Sequence, residues 1–371
     1  MSQDQAEEFL LHVIRSFILS REARPVPPPN LDWSRLAGCV APCRVAPIFC
    51  SLVDKDAAPP HIVQEWESEW AYTLARNTRS LSTLVRISRI LEEARLEVVI
   101  LRGLSVALTA YGDISLRPTS DVDILARPAD REAIIRVLAS HGMRPERHRR
   151  CQTLFEVDEL LLEFHWSLLT PRRFQKTIDS EQLISSRLPL DVAGGRIYRL
   201  PATMDLIVLV THAFAHHRLS VMINLIDIAL VSTRPDVDWE YLAKWSQAAP
   251  LTRMFFLTLT FVDRLFNLGL GQRLEVFGCP PKPAERIAEG YRARLLGNDS
   301  LVHFLLRKRG VLMAAEHPCA KLKQVIRFFA KDELDELCAA ICTPPPMRLK
   351  HSAAKDAITE NDKHLHAQNP P

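Results

Sequence analysis

The stretch Ser120-Asp121-Val122-Asp123, set directly before the apolar run Ile124-Leu125-Ala126, restricts the possible folds of this chain more than any other segment. In an extended strand, side chains two apart point the same way. Asp121 and Asp123 are therefore expected side by side on one face, with Val122 and Ile124 turned into the core. Two carboxylates held that close repel each other unless a cation lies between them. Hard divalent cations such as Mg²⁺ take oxygen ligands of this kind and share them with substrate phosphates. On an exposed edge strand the same spacing is only a solvated face, so the surroundings decide.

Upstream, Glu97-Val98-Val99-Ile100-Leu101 reads as a buried strand, followed by Arg102-Gly103-Leu104 and a helical stretch from Ser105 to Tyr111. A loop with Gly112, Asp113 and Arg117-Pro118 then leads into the Asp-x-Asp strand. Pro128-Ala129-Asp130 opens a helix with proline in its tolerated first turn, and Gly142 closes it after His141. A strand pair is expected around Thr153–Val157 and Leu160–His165, where the same period of two puts Glu163 and His165 on one face. Two aspartates on one strand and a third carboxylate on a later one suit two-metal phosphoryl chemistry.

The segments Leu101-Arg102-Gly103, Leu116-Arg117-Pro118-Thr119-Ser120-Asp121-Val122-Asp123-Ile124-Leu125, Pro128-Ala129-Asp130 and Glu163-Phe164-His165-Trp166 resemble the uncharacterised nucleotidyltransferase family of the polymerase-β-like superfamily. Further along, Met204 to His217 resembles that family's His-rich helix, and Asn224 to Ala229 the segment after it. The Arg/Ser/Asp-x-Asp core specifies the superfamily, while the His-Trp strand and the His-rich helix specify the family. The resemblance covers roughly residues 30 to 270. Two departures stand out: Arg102 replaces the usual turn lysine, and Glu163 stands where aspartate is more common. Arginine keeps the charge but presents a planar fork instead of a point charge.

The resemblance implies an α+β fold, a polymerase-β-like core with a small mixed sheet flanked by N-terminal helices and a C-terminal helical domain. It implies a metal-dependent enzyme that moves an NMP, AMP by default, from an NTP to an acceptor hydroxyl and releases pyrophosphate. Asp121, Asp123 and Glu163 are the expected catalytic and metal-binding residues, with Mg²⁺ or Mn²⁺ as cofactor and ATP or another NTP as substrate. Arg102, Gly103, Arg117, Ser120 and His165 are the expected nucleotide-binding residues. Backbone amides at Gly103-Leu104 are placed to meet phosphate oxygens, and Arg117 or Arg102 to neutralise the leaving group. The acceptor stays open among small molecules, peptides and proteins. Competing readings are a toxin-like enzyme acting on tRNA ends, phosphotransfer from the γ position, and an inert nucleotide-binding or scaffolding module.

His212, His216 and His217 raise the question of zinc, since His212 and His216 lie one helical turn apart. Two histidines fall short of a zinc ligand set, and a structural role or a contact with substrate fits better. Asp227, in another apolar helix, reads as a buried acid paired with one of these histidines or with an arginine. The 47 Lys and Arg against 44 Asp and Glu leave a net charge of only +3, whereas a nucleic-acid binder normally shows a strong basic stripe. The basic cluster Arg144 to Arg150 reads as a solvated loop. Cys39/Cys43 and Cys338/Cys342 have helical spacing, not that of a zinc knuckle, and reduced thiols in the cytoplasm are expected. The acidic N-terminus lacks a signal pattern, and no stretch reaches the roughly 18 apolar residues that span a membrane.

The expected organisation is an N-terminal helical segment over 1–94, a catalytic core over 95–201, a helical domain over 202–342 and a disordered polar tail over 343–371. Within the first segment, helices are expected over Glu7–Ser20, from Asp32 and over His61–Ala94, with a proline-rich linker at Arg24–Asn30. In the core, Gly194-Gly195 marks a turn before a short strand, Ile197–Leu200, expected as the final edge of the sheet. Helices follow over Asp238–Gln247, Leu251–Asn267, Pro281–Leu296 and Leu322–Cys342.

Overall fold

A computed structural model describes residues 2–149, 151–168, 179–215, 217, 219, 221–249 and 251–279. The expected helices at 281–296 and 322–342 and the tail at 343–371 lie outside the described residues. The chain begins with helices α1 (Ser2–Leu19), α2 (Trp33–Cys43), α3 (Ala46–Leu52) and the long α4 (Pro60–Glu93). The Asp32 carboxylate caps α2 by accepting the Arg35 amide, and proline opens α4 in its first turn. The core follows as β1 (Val98–Leu101), α5 (Arg102–Val106), β2 (Val122–Ala126), α6 (Arg131–Ser140), β3 (Pro145–His148), β4 (Gln152–Val157) and β5 (Leu160–His165). After it come α7 (Ser180–Ser185), β6 (Leu188–Val192), β7 (Gly195–Arg199), α8 (Ala202–Ala215), α9 (Met222–Ser232), α10 (Trp239–Ala248), α11 (Thr252–Phe266) and α12 (Gly271–Leu274). The fold is α+β.

The main sheet has the order β1-β2-β5-β4-β3, and it is mixed, because β2 and β5 run parallel while the other pairs are antiparallel. The parallel pair aligns Asp123 with Glu163 and Leu125 with His165. Alternation along the strands then sorts side chains to two layers. Val98, Ile100, Val122, Ile124, Leu162 and Phe164 pack with α6 and the C-terminal half of α4. Val99, Leu101 and Leu125 face the other way, into a larger apolar cluster that joins α1–α3 to α8–α11. Helix α4 serves both layers, with Ile62 and Trp66 in the larger cluster and Leu84, Ile87 and Leu91 in the smaller. The N-terminal and C-terminal helices thus share one hydrophobic core, tied further by the Arg15 guanidinium donating to the Leu265 carbonyl at 3.0 Å.

Two expectations need correction. Residues 197–200 do not form the edge of the main sheet: β7 pairs with β6 in a separate hairpin turned at Ala193-Gly194, both with positive φ. That local partner satisfies its backbone hydrogen bonds, and Ile197 still packs against the smaller core. The basic cluster at 144–150 is not wholly loop, since Pro145–His148 forms the exposed edge strand β3 beside β4. Charged side chains on such an edge discourage pairing with other chains. Asp121 stands one residue before β2, at the entry to the strand that carries Asp123.

Candidate active site

The outcome of this layering is a cleft of about 380 Å³ between the sheet and α8–α9. Asp123, on the sheet face opposite Ile124, points toward the helices and is buried apart from an 8% residue of exposure. Across the parallel pair, Glu163 and His165 point into the same space. One ligand atom from each of Asp123, Glu163 and His165 falls within 4.8 Å of the others. Asp121, Ser120, Arg102, Gly103 and Arg117 also line the cleft, so every sequence-expected site residue reaches it. Their positions within it differ.

Asp123 is the most heavily contacted of the acids. Its Oδ1 accepts from His165 Nε2 at 2.7 Å and forms an ion pair with Arg102. Burial pushes the Asp123 carboxyl up, but the Arg102 guanidinium beside it, the His165 hydrogen bond and the nearby His212 hold it well below its ordinary value. Glu163 moves the opposite way, raised by partial burial and then by the neighbouring Asp123 charge. Its Oε2 accepts from Gln152 Nε2 at 3.1 Å and lies 3.7 Å from His165 Nε2. Two carboxylates side by side with opposed shifts form a polarised acidic pair. Asp121 stands slightly apart, its Oδ1 accepting from the Ser120 hydroxyl at 2.9 Å.

The strand–turn–helix connection that delivers Arg102 is strained. Arg102 has φ 47° and Gly103 φ 25°, a region that side chains disfavour. A Cβ on Gly103 would meet Arg117 and Thr119 only at 3.7 Å, so the backbone, not crowding, calls for glycine there. Arg102 bridges Asp123 and His212, and His212 in turn meets His217 at 3.0 Å between Nε2 atoms. Burial, then the Arg102 charge, lowers the His217 pKa. His216 lies outside the described residues.

Arg117 is fully engaged elsewhere. Its Nη2 donates to Asp227 Oδ2 at 2.6 Å and its Nε to Oδ1 at 3.3 Å, and the Tyr111 hydroxyl donates to the same Oδ1 at 2.9 Å. Asp227 is thus the buried acid paired with an arginine. Burial disfavours the Arg117 charge, yet Asp227 more than offsets it and raises the pKa. This pair locks the loop before β2 to α9. The Asn77 amide, buried in α4, holds the same loop by donating to the Ile114 carbonyl at 2.6 Å and the Arg117 carbonyl at 2.9 Å. Arg76 adds bonds to the Thr119 carbonyl at 2.9 Å and the Ser120 carbonyl at 2.5 Å.

Sequence reasoning did not single out Gln152, Asn77, Arg76, Tyr111 or Arg44, which lines the cleft from the left-handed C-cap of α2. Asn77, a polar residue on the buried stripe of a long amphipathic helix, was the one with a visible signal. Trp166 packs rather than reacts: it stacks on Phe164 and its Nε1 donates to Thr153 Oγ1 at 3.1 Å. On α2, burial pushes the Cys43 thiol up to about 12, far from a metal-binding thiolate.

An acidic pair at the floor of a cleft between a mixed sheet and a helical layer defines a class of group-transfer site. Residues 29–267, well over half of the chain, match the family described as uncharacterised nucleotidyltransferase, and the protein belongs to that family. It is a nucleotidyltransferase, an enzyme that transfers an NMP. No curated protein matches the chain. Solved structures with a distant likeness include the following two. One is the solution structure of the antibiotic-resistance factor ANT(2'')-Ia, 14% identical, covering 46% of this chain and 91% of that one with a TM-score of 0.36. The other is ANT(2'')-Ia in complex with adenylyl-2''-tobramycin, 13% identical, covering 46% and 97% with a TM-score of 0.35. The assignment rests on the family match. Among the described residues no helix is long and apolar enough to cross a membrane.

Proposed function

We propose that the cleft transfers AMP from ATP to a hydroxyl of an acceptor, with Asp121, Asp123 and Glu163 holding Mg²⁺ or Mn²⁺. The observation that carries this reading is the alignment of Asp123 with Glu163 across two parallel strands at the cleft floor. The donor set fits such an ion: all three acids are oxygen ligands, and two adjoining carboxylates in a partly buried site call for positive charge. His165 is a further ligand-capable group, within 4.8 Å of both strand acids. When bound, a divalent cation there supplies charge neutralisation for the triphosphate and acidifies an oxygen beside it.

The protein groups divide the remaining work. Glu163, whose carboxyl burial and the Asp123 charge push up, accepts the proton of the acceptor hydroxyl. The hydroxyl oxygen then bonds to the α-phosphorus, the bond from that phosphorus to the β-bridging oxygen breaks, and pyrophosphate departs with the electron pair. Arg102, on the same wall, moves from Asp123 to the phosphates, where a planar guanidinium suits their oxygens. Arg117, held by Asp227, positions Ser120 and Asp121 through the loop it anchors. His165 holds the Asp123 carboxylate in place, and Gly103 supplies the turn that brings Arg102 in.

The test uses the purified chain with Mg²⁺, cell extract and ATP labelled at the α or the γ position. α-Label on an extract component with matching pyrophosphate release supports AMP transfer. γ-Label on the acceptor supports a kinase instead, and binding of ATP with no labelled product supports an inert module.

A further inference from the structure

A second pocket, of about 200 Å³, opens beside the catalytic cleft. Residues at 65, 69, 72, 73 and 76 of α4 repeat at helical spacing and turn one face of that helix toward it. Trp66 forms a buried apolar wall, braced by Phe49 at 5.1 Å between ring centroids, while the Tyr72 ring is 61% exposed at the mouth. Thr73, only 1% exposed, lines the pocket and carries a buried hydroxyl with no hydrogen-bond partner among the described residues. A buried hydroxyl left so is costly unless a ligand or water meets it. The exposed Glu65 and Glu69 carboxylates complete the rim and form no ion pair among the described residues. Arg76 is held on the Thr119 and Ser120 carbonyls. Arg44 lines both spaces, and Thr119 leads within two residues to Asp121, so an occupant lies next to the reacting end of the cleft.

We propose that this pocket is the acceptor subsite, taking a ring-sized, apolar-bodied molecule that carries an amine besides the hydroxyl that receives AMP; its role as acceptor rests on the nucleotidyl transfer proposed above. The apolar walls and Tyr72 take the ring, the Thr73 hydroxyl meets a polar atom on it, and the two glutamates take the ammonium group. A cation between carboxylates and an aromatic face gains from both. Polyphosphate is repelled by Glu65 and Glu69 and stays on the far side of Arg44.

Ligand-observed saturation-transfer NMR on the full chain tests this with two probes of like shape and opposite charge, phenethylamine and 3-phenylpropionate. Phenethylamine should bind, phenylpropionate should bind about tenfold more weakly or not at all, and Mg-ATP should leave the phenethylamine signal in place. Glu65→Gln/Glu69→Gln and Tyr72→Ala, all at exposed positions that leave the fold intact, should each weaken phenethylamine binding by about tenfold. Equal binding of the two probes, an unchanged signal in the variants, or displacement by ATP (a nucleobase pocket) would overturn the proposal. Amine binding without any transfer of α-label would leave the pocket standing and sink the reaction. Transfer without amine binding would do the reverse.

Discussion

Two arginine–carboxylate pairs stand in one cleft, and they are built to opposite ends. Arg117 and Asp227 are both buried, and the remaining capacity of the carboxylate is filled by Tyr111. Every partner there is fixed by protein. Arg102 and Asp123 are also close, but their surroundings are unbalanced: Glu163 adds a second acid, His165 a third ligand-capable atom, and the Arg102 Nε is buried with no partner among the described residues. The first arrangement is closed and holds a loop to a helix. The second has competing acids and an arginine that other anions can draw away, which is the chemistry of a site that exchanges partners.

The comparison breaks most sharply at Asp123. Asp123→Asn keeps the shape and removes one oxygen charge, and nucleotidyl transfer should fall by at least about 10³-fold, or ~4 kcal/mol in the barrier. Its thermal midpoint should stay within a few degrees of wild type. Retained turnover would show that the open pair is only structural. At the closed pair the pattern inverts. Asp227→Ala strands the Arg117 charge in the interior and should cost about 3–5 kcal/mol of stability, read from chemical denaturation. A small loss would mean that water reaches Arg117 and the pair is not closed.

A third buried acid sharpens the contrast from outside the cleft. Asp205, near the start of α8, is 1% exposed, its Oδ1 has no hydrogen-bond partner among the described residues, and burial pushes its pKa up to about 8. Unfolded, it titrates near 4. Between these values the native chain keeps a proton that the unfolded chain has released, so stability from this group falls as pH rises through the window and levels above it. Asp205→Asn should remove that slope, with a gain of about 5 kcal/mol at pH 8 and almost none at pH 4. Denaturation midpoints at the two pH values check it, and an equal change at both would contradict the assignment.

What could be read in the chain itself follows the range of the forces involved. The strand carrying Asp123, the Glu163-Phe164-His165-Trp166 strand and the long helix α4 were legible, because hydrophobic period and local turn chemistry determine them. The meeting of Asp123 with Glu163 was not, since it depends on which strands pair and in what register. The same gap placed 197–200 on the wrong sheet and hid the edge strand at Pro145–His148. Charged residues gave least away. Arg102 and Arg117 look alike in sequence, and only the tertiary structure shows that one faces the acidic cluster and the other closes on Asp227.

The central claim is that the open acidic cluster exists to hold a divalent cation against a nucleotide. Isothermal titration of Mn²⁺ in the presence of a non-hydrolysable ATP analogue tests it directly, with wild type beside Asp123→Asn and Glu163→Gln. The account predicts one or two ions bound per wild-type chain and at least about tenfold weaker binding in each variant. Unchanged Mn²⁺ affinity in both variants would contradict it.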